Sequence, residues 1–154
     1  MPPVTGQNLN IIAGTNAATC TDQSVCINVL ANNFTSLQDL QFSVNWDPSI
    51  MEFVSVTNND GALDPGLGVV YGQTEVLDGV LNFNWSDVEG DGHTLANGMR
   101  LFTLCFRPLS NGVGAITFTA NNTPIEATRF IDENNIEPVE PEFIIGNILS
   151  LIHI

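Results

Sequence analysis

Strict two-residue alternation marks three stretches of the chain. In Leu40-Gln41-Phe42-Ser43-Val44-Asn45-Trp46, Leu40, Phe42, Val44 and Trp46 fall on one side of an extended strand, and Gln41, Ser43 and Asn45 on the other. The design recurs at Leu81-Asn82-Phe83-Asn84-Trp85-Ser86 and at Ile116-Thr117-Phe118-Thr119. Each inner face is large and apolar. Each outer face is Asn, Gln, Ser or Thr, without charge. That repeated uncharged face is the first pointer to function. Asp47-Pro48 closes the first stretch, because proline has no N–H to give a ladder.

Shorter apolar runs predict strands at residues 9–14, 24–30, 50–56, 69–74, 99–108 and 143–148. Asp78-Gly79 is a hairpin signal leading into the strand at 80–86. Residues 62–68 are rich in glycine and proline and read as a loop. Residues 87–95 read as an acidic, glycine-rich loop. Residues 123–136 are irregular, and 137–142 form an acidic, proline-punctuated segment that is either extended or a linker. No segment sustains a helical period. About nine short strands with a turn every 8–12 residues predict an all-β, two-sheet sandwich of jelly-roll topology.

Length and charge narrow the functions. The 154 residues suffice for one domain with a core. The net charge is −14, yet only 13% of residues are charged, because the three arginines are the whole supply of base. Such a surface repels nucleic acid and anionic membranes, which excludes both as partners. No apolar run approaches the roughly 20 residues of a membrane-spanning helix. Met1-Pro2-Pro3 opens no signal peptide, so the expectation is a piece of a longer precursor. Leu149-Ser150-Leu151-Ile152-His153-Ile154 reads as the translation of the transposon end used in sequencing libraries. The expected layout is therefore an extension at 1–8, a sandwich at 9–148 and an adapter-derived tail at 149–154.

The order of motifs resembles a cohesin-like domain. Val25-Cys26-Ile27-Asn28-Val29, Asn33-Phe34, Leu40 to Pro48 and Phe53-Val54-Ser55-Val56 are similar to its first half. Gly79 to Trp85 and Asn97 to Phe106 are similar to its second half. The likeness is to divergent cohesin-type modules in long secreted proteins of Bacteroidetes. It implies a nine-stranded jelly roll related to carbohydrate-binding modules, located outside the cell or on its surface. It also implies that a dockerin binds the outer face of the sheet holding the third, fifth, sixth and eighth strands. On this chain the outward residues of that face are Gln41, Ser43, Asn45, Asn82, Asn84, Ser86, Thr117 and Thr119, with Tyr71 on the neighbouring weak strand as an apolar anchor.

Other chemistry is thinner. A carbohydrate platform needs exposed rings, but Trp46, Trp85, Phe42, Phe83 and Phe118 share the inward parity, which leaves Tyr71 and Phe34. A glycan is therefore the alternative ligand and a passive spacer the third reading. Asp87, Glu89 and Asp91 offer alternate carboxylates between glycines, a calcium candidate without the spaced bidentate acid of an EF-hand. Asn58, Asn59, Asp60 and Asp64 form a weaker cluster. Cys26 and Cys105 lie on outward strand faces; the cohesin arrangement makes their strands neighbours, so a cross-strand bridge fits. Cys20 and Cys26 flank a turn and form the alternative pair, and the sequence leaves the choice open. His93 reads as a solvated loop residue, and no catalytic constellation is visible.

Overall fold

The computed structural model describes residues 8–19, 23–58, 69–73, 75–120 and 124–151. In chain order the strands are β1 (Asn10–Ala13), β2 (Asn16–Ala18), β3 (Val25–Asn32), β4 (Leu37–Asn45), β5 (Met51–Thr57), β6 (Val69–Gly72) and β7 (Val80–Ser86). They continue with β8 (Met99–Pro108), β9 (Gly112–Thr119), β10 (Glu126–Asp132), β11 (Asn135–Pro138), β12 (Glu142–Ile144) and β13 (Gly146–Ser150). A five-stranded sheet has the order β12-β1-β3-β8-β5. An eight-stranded sheet has the path β11-β10-β4-β9-β13-β2, with β7 on β4 and β6 on β7. The all-β, two-sheet expectation holds.

The alternation of β4 sets the layers. Leu40, Phe42 and Val44 are fully buried, and Trp46 nearly so. The Phe42 ring meets Phe83 at 4.9 Å and Phe118 at 5.4 Å within its own sheet and, across the sandwich, Phe143 at 5.6 Å and Phe102 at 6.3 Å between centroids. Trp46 packs on Phe106 and Phe53. Beyond the strand, Asp47 shapes the turn: its carboxylate accepts from the Ser49 N–H and hydroxyl at 2.8 and 2.6 Å. Those bonds hold the carboxyl below the usual range.

Several elements differ from expectation. The predicted strand at 9–14 is β1, which pairs with β3 and β12, and a further strand that was not expected, β2, follows it and crosses to the other sheet to pair with β13. Where the two terminal segments cross, a Cβ on Gly146 would meet the Gly14 carbonyl, so only glycine allows the approach. The irregular stretch at 123–136 contains β10, and the acidic, proline-punctuated segment begins in β11, so together they supply a hairpin that extends the sheet. Asp78-Gly79 is not a two-residue hairpin. Residues Val76–Asp78 form a 3-10 turn, and Gly79 closes it in the left-handed region at φ 83°. β13 runs on through Leu149, opposite Val113 and Ala17, and the fully buried Ser150; residues 152–154 lie outside the described residues.

Candidate functional site

The outer face of the eight-stranded sheet places the alternating polar residues in register. β7 lines one edge of β4 from Asp39↔Ser86 to Asn45↔Val80, which puts Asn84 opposite Gln41 and Asn82 opposite Ser43. The other edge is shared: β10 covers Leu37–Gln41, and β9 sets Thr119 opposite Ser43 and Thr117 opposite Asn45. All eight polar residues of the predicted set are therefore brought together on one surface.

They also bond to one another. The Ser43 hydroxyl donates to Asn82 Oδ1 at 2.8 Å, and Asn45 Nδ2 donates to Thr119 Oγ1 at 2.6 Å. Asn84 Nδ2 donates to Gln41 Oε1 at 3.3 Å, and Gln41 Nε2 to the Pro124 carbonyl at 3.0 Å. The lattice holds its side chains in fixed rotamers before any ligand arrives, which lowers the entropy lost on binding. Asn84 and Ser86 are exposed, while Gln41, Asn45, Asn82, Thr117 and Thr119 are half-buried. Ser43 is fully buried, because a short side chain between two longer neighbours is covered by them; it supports Asn82 rather than meeting a partner.

Tyr71 does not supply the anchor expected of it. It stands opposite Phe83, an inward residue, so its ring points inward and packs on Phe83 at 6.0 Å and Phe102 at 5.8 Å. The outward residue of β6 is Val70, opposite Asn84 and 63% exposed. The alternation Val70-Tyr71 carries this information, but only the register against β7 says which of the two faces out.

Burial pushes the Tyr71 phenol up to about 12, with Arg100 pulling the other way. An unfolded chain ionises this group near pH 10. Between about 10 and 12 the native state holds the extra proton, so stability falls as pH rises. Tyr71 is the single tyrosine. Phenolate absorbance is therefore expected to appear near pH 12 in the native protein and near pH 10 in urea; a native midpoint near 10 would place the ring outside the core.

The remaining candidates resolve individually. Phe34 is fully buried, its ring 5.4 Å from Trp85, so it is no sugar platform. His93 is not simply solvated: its backbone pairs with Leu37 in both directions, and its ring lies against Phe34 and Trp85. Asp87 turns its carboxylate onto its own loop, accepting from Glu89 N–H at 3.2 Å and Gly92 N–H at 3.0 Å. With those oxygens engaged, Asp87, Glu89 and Asp91 do not converge, and among the described residues no three acid, histidine or cysteine side chains are grouped to hold a metal. Asn59, Asp60 and Asp64 lie outside the described residues. Cys26 and Cys105 stand opposite each other on β3 and β8 and are joined as a disulfide. Cys20 lies outside the described residues.

A two-sheet jelly-roll sandwich of this topology defines the class, and it is the cohesin fold. A type I cohesin of Pseudobacteroides cellulosolvens, the seventh of its ScaB, superposes with a TM-score of 0.79 at 18% identity, over 96% of this chain and 94% of that one. A non-cellulosomal cohesin of the archaeon Archaeoglobus fulgidus superposes at 0.71 with 19% identity, over 94% and 91%. A type I cohesin–dockerin complex of Clostridium thermocellum gives 0.73 at 15% identity, over 94% and 99%. No protein-family model matches the sequence. No curated protein matches it.

Proposed function

We propose that this chain is a non-catalytic extracellular recognition module, one unit of a longer secreted protein, that binds a dockerin-like partner through the outer face of β6, β7, β4 and β9. The observation that carries the reading is the bonded amide and hydroxyl lattice from Gln41–Asn84 to Asn45–Thr119, with no charged side chain among them. Specific interfaces deplete charge at their centre, and Val70 gives this one an apolar contact beside Asn84. Solved structures of the same fold include complexes with dockerins. The Cys26–Cys105 bridge suits an oxidising compartment.

The test is capture. With the chain immobilised and secreted proteins of the source community as prey, a protein retained with calcium, released by chelator and lost on Asn45→Ala plus Asn84→Ala is the expected result. Retention of a protein that ignores both substitutions would refute the assigned face. Retention of nothing would favour a spacer.

A further inference from the structure

We infer that the groove between the loop at 87–92 and the turn of the β10–β11 hairpin is a second binding site, for a short glycan bearing free amino groups. This site lies beyond the far end of β4 from Asn45 and is separate from the sheet face. Its volume is about 570 Å³, within the range of small-molecule sites of about 300–1,000 Å³ and far larger than one protein side chain needs.

The groove has a floor, a rim and fixed walls. Phe130 and Ile136 line it and face each other across the hairpin. Phe130 is half-buried, and Ile136 is 59% exposed. A ring with an apolar edge offers the C–H face of a pyranose its usual support. Glu89, Asp91 and Glu133 are exposed on the rim, and Asn134 adds an amide. No basic residue lines the groove, so with Asp132 its four carboxylates give it negative charge without a counter-charge in the lining.

Both walls are held internally. Gln38 Nε2 ties the Gly90 carbonyl at 2.6 Å, and Asp87 caps the loop from beneath. Across the groove, Asp132 accepts from Asn134 N–H at 2.8 Å and from Asn135 Nδ2 at 3.0 Å. A preformed groove with an apolar floor and an acid rim fits a sugar with an ammonium group. Galacturonate-type acids are repelled by the same carboxylates, and neutral sugars gain only the floor and the amide.

The test uses the whole chain with three probes: a glucosamine tetramer, cellotetraose and tetragalacturonate. Amide NMR shifts on titration with the glucosamine tetramer are expected at Glu89–Asp91 and Phe130–Ile136, with residues 41–45 and 80–86 unmoved. Cellotetraose is expected to bind more weakly and tetragalacturonate not at all. Asp91→Asn with Glu133→Gln, both exposed and without structural bonds, is expected to weaken glucosamine binding about three- to tenfold, as two exposed ion pairs would, and to leave protein capture by the sheet face unchanged. No shift at millimolar glucosamine tetramer, equal binding of all three probes, or tighter binding of tetralysine at the same amides would overturn the inference. Loss of protein capture with glucosamine binding retained would count only against the sheet-face reading.

Discussion

Breaking the Cys26–Cys105 bridge is expected to lower the unfolding free energy by about 4 kcal/mol, whether by reduction or by paired serine substitution. The two cysteines are 79 residues apart in sequence. A cross-link closing a loop of that size removes conformational freedom from the unfolded chain, worth about 4 kcal/mol in the chain-entropy view. The bridge joins β3 to β8, the two strands on which the five-stranded sheet is centred. For a domain of this length the loss corresponds to a melting temperature lower by about 10 °C. Thermal melts with and without reductant, after confirming free thiols, read the difference directly. An unchanged melt in the fully reduced protein would mean that the ladder alone holds β3 and β8.

Phe42→Ala is the second large effect, at about 4 kcal/mol, the usual range for truncating a buried phenylalanine. Phe42 touches rings from β7, β8, β9 and β12, so no neighbour can collapse into the space without leaving its own contacts. Urea unfolding should show a lower midpoint with the slope unchanged. Gln41→Ala, one residue away on the opposite face, is expected to cost less than about 1 kcal/mol, because it loses surface hydrogen bonds and no core volume. Equal losses at 41 and 42 would contradict the assignment of faces.

These neighbouring residues show why the fold was legible. β4, β7 and β9 each alternate over enough positions for parity to be read without a partner strand. Elsewhere the period is too short or broken. β2 has three residues, and β10 carries a register shift between Thr128 and Arg129 that interrupts its alternation. The site follows the same logic. Its central residues came with the strands, but Tyr71 and Val70 are adjacent on a four-residue strand, and only pairing with Phe83 and Asn84 decides between them. Phe34 and His93 sit in connections, where parity says nothing and packing against Trp85 decides. The acidic loop differs for another reason: its spacing suggests a cation, whereas the structure shows the Asp87 oxygens accepting from backbone N–H groups of the loop itself. The groove beside that loop was invisible in sequence, because its other wall is a hairpin some 40 residues onward that pairing alone brings near.

The central claim is that the outer face of β4 and β7 meets the partner. Its most direct test compares one substitution on each sheet, Asn84→Arg on the proposed face and Thr57→Arg on the exposed side of the five-stranded sheet. Both place the same long cation on a strand of the folded protein, and unchanged melting checks that folding survives. With the captured partner or a dockerin panel titrated by calorimetry, Asn84→Arg should weaken binding by more than about tenfold, as a central interface position would, and Thr57→Arg should leave it intact. Full affinity in Asn84→Arg together with loss in Thr57→Arg would move the binding surface to the opposite sheet.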